Sequence, residues 1–160
     1  MARQVLDDPA DERTFMRCKL DFSERDTNEP AYALHQDLIA VRRSRTAFRN
    51  QRAGGVDGAV LSRSAFVLRY FTETIEDVRV LVVNLGGHLA RPSYSEPLLA
   101  PPADRDWIVE WSSEDPRYGG GGTPDLRVSG KWSLPGESAM VLAPSTRRLM
   151  RPSTIRRRTA

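Results

Sequence analysis

Hydrophobic spacing divides the chain into a helical part and a β part. Ala31, Leu34, Leu38 and Val41 fall at i, i+3, i+7 and i+10, one stripe along a helix, with Ile39 beside it. Asn28 suits the cap, and Glu29 and Pro30 suit the first turn, where a missing N–H is harmless. Arg42 and Arg43 fall in the last turn, at the negative end of the helix dipole. The pattern predicts one amphipathic helix from Asn28 to about Arg43. Residues 1–28 are acidic, rich in turn formers and read as irregular.

After Gly54-Gly55-Val56-Asp57-Gly58 the period changes. Ala59 to Leu61, Ala65 to Phe71 and Arg79 to Leu85 are short β-rich runs, with Thr72 to Asp77 as a hairpin connection between the last two. Further runs follow at Pro97 to Ala100, Trp107 to Ser112, Lys131 to Leu134 and Ser138 to Leu142, the last two joined at Pro135-Gly136. Short strands separated by turn signals predict a mainly β fold, an antiparallel β-sandwich preceded by one amphipathic α-helix. The helix must bury its stripe, either on the sandwich or on neighbours upstream of it.

Composition supports this division. An apolar fraction of 39% supplies a core, while 11 Gly and 11 Pro call for many turns. The net charge of +3 is unevenly placed: residues 53–143 carry 8 basic and 12 acidic side chains, whereas residues 144–160 carry 6 Arg and no acid. Basic character therefore belongs to the tail, read as a disordered segment over residues 145–160 without interleaved aromatics. A solvated tail is favoured over a nucleic-acid grip. The longest purely aliphatic run is Val80 to Val83, far short of the ~20 residues of a spanning helix, so no membrane association is expected. One cysteine, Cys18, and a polar start imply a reducing, cytoplasmic compartment.

Candidate chemistry is sparse. Gly119 to Gly122 is followed by Thr123-Pro124 rather than Lys-Ser or Lys-Thr, so it reads as a flexible loop and not a phosphate loop. His35, His88 and Cys18 do not make a metal set at any recognisable spacing, and no Gly-x-Ser-x-Gly elbow exists. Asp21, Glu24 and Asp26, and Glu110, Glu114 and Asp115, cluster in sequence. A glycosidase needs two carboxyls facing one another roughly 5–9.5 Å apart, so these clusters read as solvated faces or turn caps. Trp107 and Trp111, four apart in one strand, should share a face with core character, and Trp132 also reads as core rather than as a sugar platform. No catalytic, substrate-binding, cofactor or metal residue is assigned.

Residues 111–120, Trp-Ser-Ser-Glu-Asp-Pro-Arg-Tyr-Gly-Gly, closely resemble a segment near the C-terminus of bacterial maltooligosyltrehalose trehalohydrolases, members of the alpha-amylase superfamily. Leu81 to Gly86 and Pro97 to Pro102 fit the same domain. Residues 14–24, with Lys19-Leu20-Asp21, and Leu34 to Ile39 followed by Arg42-Arg43 are similar to the end of that family's barrel, and the whole resemblance spans about residues 9–144. It implies a parent with a (β/α)₈ barrel followed by a small β-sandwich, which hydrolyses the α-1,4 bond next to a terminal trehalosyl unit and releases trehalose. The family's catalytic carboxylates lie on barrel strands, and a barrel takes ~250 residues, so the resemblance carries no catalytic residue into this chain.

The expected organisation is the end of a barrel over 1–52, a C-terminal sandwich over 53–144 and the tail over 145–160. The chain would then be an inactive C-terminal fragment of a glycosidase. Its helix would meet a barrel domain through Ala31, Leu34, Leu38 and Val41, and maltooligosyltrehalose would bind only to the intact enzyme. The alternative is a free-standing β-sandwich that binds sugar or another partner.

Overall fold

The computed structural model describes residues 8–91, 93–123, 125–128 and 131–145. Apart from Ser145, the tail expected over 145–160 lies outside the described residues. The β part comprises β1 (Val56–Ser62), β2 (Ala65–Tyr70), β3 (Arg79–Asn84), β4 (Leu89–Arg91), β5 (Trp107–Ser112), β6 (Arg127–Val128), β7 (Lys131–Leu134) and β8 (Ser138–Pro144). Five strands pair in the order β1-β2-β3-β8-β5 and three in the order β4-β7-β6. Every pairing is antiparallel. The expected sandwich is present.

Strand alternation decides what lies between the sheets. In β2, β3 and β8 one face presents Val67, Val82 and Met140 as cross-strand neighbours, with Val80 paired to Leu142 in the next row. All five are buried, and Trp132 and Leu134 from the smaller sheet close over them. Each such side chain contributes roughly 1.5–3 kcal/mol by leaving water. At one end of this core Asn84, only 1% exposed, links the two sheets. Its Nδ2 donates to the Gly87 and Pro135 carbonyls at 2.9 and 2.7 Å, while its Oδ1 accepts from the Gly86 N–H at 3.1 Å.

The run from Pro97 to Ala100 is not a strand. Pro97 to Leu99 form a 3₁₀ turn because Pro97 opens it without an N–H and the Glu96 carboxylate caps the Leu98 N–H at 2.9 Å. Arg69 grips the Leu98 and Ala100 carbonyls at 3.2 and 2.7 Å, and the Trp107 indole N–H grips that of Leu99 at 2.8 Å. Burial lowers the Arg69 guanidinium below its ordinary value. Strands β4 and β6 carry too few residues to show a period, which is why spacing missed them.

The N-terminal part is more helical than its composition suggests. Among the described residues four helices precede the sandwich: α1 (Glu12–Arg17), α2 (Glu24–Thr27), α3 (Glu29–Ser44) and α4 (Thr46–Arg49). Residues 1–28 were expected to be irregular, but Asp11 accepts the Arg13 N–H at 2.8 Å and starts α1. Helix α3 matches the predicted amphipathic helix. Its cap does not, because Asn28 makes no side-chain bond and instead continues the chain from α2. Ala47 of α4 is buried and Phe48 packs edge-on against Tyr70 at 4.8 Å, which places α4 on the outer face of the five-stranded sheet.

Candidate functional site

The junction between helix α3 and the sandwich begins with an irregularity in β5. Val109 pairs with Leu142 and Trp111 with Val141, leaving Glu110 as an extra, unpaired residue. A bulge of this kind reverses the alternation beyond it. Trp107 therefore lies in the core, 7% exposed, whereas Trp111 lies half-buried on the outer face. The expectation that the two share a face was wrong, because strand spacing assumes an unbroken ladder. Trp132 is buried, as expected for core.

The segment after β5 folds back towards α3. Asp115 caps a 3₁₀ turn over Pro116–Tyr118 by accepting the Arg117 N–H at 2.9 Å, and Gly119 ends it with φ 83°. Gly120 then passes so close to the chain that a Cβ there would lie 2.3 Å from the Glu114 backbone. The Gly122 N–H also donates to the Glu114 carbonyl at 2.7 Å. The glycine run is thus a tightly wrapped turn rather than the flexible loop that was expected: Gly120 has no room for a Cβ, and Gly119 and Gly122 have positive φ, 83° and 109°.

This turn presents Tyr118 to the helix. The Tyr118 hydroxyl accepts the Trp111 indole N–H at 3.2 Å and donates to Asp37 Oδ2 at 2.5 Å. Arg117 pairs with the same carboxylate oxygen at 3.0 Å. Burial, reinforced by the hydrogen bond to Asp37, raises the Tyr118 phenol above its ordinary value. A second contact lies further along the helix. Glu110 binds Arg79 at 2.5 Å on one side and Arg45, just beyond α3, on the other. The bulge aims Glu110 at the helix side, so it belongs to a half-buried ion-pair triad and not to the solvated cluster expected from its neighbours. Of the other carboxylates, Asp21 caps the Ser23 N–H at 2.9 Å and Asp115 caps its turn, as expected.

Successive helix residues are about 100° apart, so Asp37, Ala40 and Ser44 share one face. On that face Asp37 bonds to the sandwich, while Ala40 and Ser44 are exposed and border a hollow shared with Glu110 and Trp111. The predicted stripe lies to one side of it. Leu38 and Val41 border a cleft of about 690 Å³ between helix and sheet, opposite Leu81 and Val141. Leu34 is half-buried and Ala31 exposed, and no residue of α1, α2 or α3 is fully buried. Upstream, Phe15, Leu20 and Phe22 are 64, 80 and 67% exposed. Sequence reasoning gave Asp37 and Tyr118 no role, since one is a charged residue off the apolar stripe and the other a tyrosine in a turn.

The remaining candidates do not converge. His35 is exposed on α3 with Nδ1 2.7 Å from the Ala31 carbonyl, and His88 is exposed between β3 and β4. Cys18 is exposed and free. Among the described residues no group of three His, Cys, Asp or Glu side chains is placed to hold a metal ion. No helix among them is long and apolar enough to cross a membrane.

A comparison with curated proteins gives no match. A family described as a domain of unknown function, DUF3459, matches residues 53–141, which run from just before β1 into β8. That span is more than half of the chain, and it contains the sandwich, the β5 bulge and the turn that carries Tyr118. The chain therefore belongs to the DUF3459 family, a C-terminal domain of alpha-amylase-family enzymes.

Proposed function

We propose that the chain is the C-terminal part of a maltooligosyltrehalose trehalohydrolase, comprising the last barrel helix and the accessory sandwich, and is inactive without the barrel. In this reading residues 1–52 end the barrel and residues 53–144 form the accessory domain. The observation that carries it is the contact from Trp111 through Tyr118 to Asp37. It joins the string most specific to that family to the helix that resembles the family's last barrel helix. The exposed Phe15, Leu20 and Phe22, with Ala31 and the half-buried Leu34, support a barrel as the missing neighbour.

The test adds the separately produced catalytic barrel of a trehalohydrolase to the chain. We expect no trehalose from maltooligosyltrehalose with the chain alone. With the barrel present, amide exchange in α3 should slow and the barrel should melt at higher temperature through binding linkage. Leu34→Asp should abolish both effects by placing an unpaired charge in an apolar contact. Trehalose release by the isolated chain, or no association at micromolar concentrations, would count against the proposal.

The second reading, a free-standing sugar-binding or interaction module, draws on the same hydrogen bond. A helix held by Asp37 and Tyr118 needs no barrel to stay in place. Association with maltooligosaccharide in the absence of any barrel would favour it.

A further inference from the structure

The cleft between α3, α4 and the outer face of the five-stranded sheet has a consistent chemistry. Its walls include Leu38, Val41, Phe48, Leu81 and Val141, and its volume of about 690 Å³ lies within the roughly 300–1,000 Å³ of small-molecule sites. A neighbouring hollow of about 400 Å³ shares Arg42, Phe48 and Gln51 with it and adds Arg43 and Arg49. Neither hollow is lined by an aspartate or glutamate. Arg42, Arg43 and Arg49 form no ion pair among the described residues, whereas nearby Arg45 is committed to Glu110 and Arg117 to Asp37. Arg52, at the far end, reaches the Phe71 carbonyl at 3.4 Å and borders a separate hollow that contains Glu73 and Asp77.

We propose that this cleft binds a small amphipathic anion, with its apolar body against Leu38, Leu81 and Val141 and its acidic head among Arg42, Arg43 and Arg49. Two physical terms act together. The cleft walls are apolar surface that water wets poorly, and a hydrocarbon body removes that surface from solvent. Guanidinium groups with no ion-pair partner among the described residues gain charge-assisted hydrogen bonds to a carboxylate or sulfonate without giving up such a pair. The concave shape favours a discrete ligand over a flat lipid surface. The apolar part of this site lies between α3 and the sheet, and the hollow with Arg43 and Arg49 is lined by α3, α4 and Gln51; the proposal rests on these linings and not on the exposed upstream residues that support barrel docking.

Dodecanoate serves as the probe, titrated calorimetrically into the full chain at neutral pH, with dodecyltrimethylammonium as a cationic match for its tail. We expect saturable dodecanoate binding, no binding of the cation, and methyl NMR shifts confined to Leu38, Val41, Leu81 and Val141. Reversing the charges with Arg42→Glu and Arg43→Glu should weaken binding by at least about tenfold. Leu38→Trp, which fills the cleft from an already exposed position, should block it while the thermal melt is retained. The proposal is overturned by no saturable binding, by equal binding of the cation, or by affinity unchanged in both variants. Binding to anionic vesicles without binding of free dodecanoate would equally overturn it and would make the basic face a membrane contact.

Discussion

The Tyr118 hydroxyl lies 2.5 Å from Asp37 Oδ2 and is the donor in a bond between the sandwich and a helix 81 residues earlier in the chain. The same hydroxyl accepts the indole N–H of Trp111, so three side chains from a strand, a turn and a helix meet at one oxygen. Arg117 neutralises the carboxylate at the far end of this chain of bonds. With the Arg45–Glu110–Arg79 triad it fixes α3 at two points over a sheet face that the helix does not otherwise fill.

Removing the hydroxyl tests the first point. Tyr118→Phe should destabilise the chain by about 1–2 kcal/mol, because a hydrogen bond to a charged acceptor is lost and Asp37 keeps only Arg117. Amide exchange should accelerate in α3 and stay unchanged in β3. Uniform acceleration across both would show that the helix and the sandwich open as one unit.

The triad should respond unequally to loss of its members. Glu110→Ala leaves Arg79, whose side chain is 8% exposed, without its carboxylate and should cost about 3 kcal/mol. Arg45→Ala removes a partner that is 43% exposed and should cost less than about 1 kcal/mol. Denaturant midpoints of the two variants give the comparison, and equal losses would refute the ranking.

Alkaline pH should loosen the fold. Tyr118 has a folded pKa above its ordinary value, so folding favours the neutral phenol. That contribution is complete below the unfolded value of about 10 and falls as pH rises through the higher folded value. Burial raises Tyr94 as well, and its hydroxyl is buried without a hydrogen-bond partner among the described residues. Stability measured upward from about pH 9.5 should therefore decline in the parent chain, less in Tyr118→Phe, and least with Tyr94→Phe added. An identical alkaline slope in all three would remove both phenols from the account.

Two adjacent glycines should behave differently. A Cβ at Gly120 would overlap the Glu114 backbone at 2.3 to 2.5 Å, so Gly120→Ala should cost about 1–3 kcal/mol. At Gly121 the nearest atom is a Glu114 carboxylate oxygen at 3.9 Å, and Gly121→Ala should stay within about 0.5 kcal/mol. Thermal melts of the pair decide, and similar shifts would mean that the turn adjusts freely.

Local patterning by itself determined the strands of the larger sheet and the extent of α3. These depend on side-chain period and on turn residues within a few positions of one another. It also predicted the core positions of Trp107 and Trp132 from their apolar character. Three features were decided only in the tertiary structure. The extra residue at Glu110 carries no glycine or other local mark, yet it turns Trp111 to the opposite face from Trp107 and aims Glu110 at two arginines. The orientation of α3 follows Asp37 and not the apolar stripe, because the partner that fixes it, Tyr118, is remote in sequence. The cleft exists because that polar contact holds the helix while Leu38 and Val41 stand to the side of it, a spacing that no periodicity along a single helix contains.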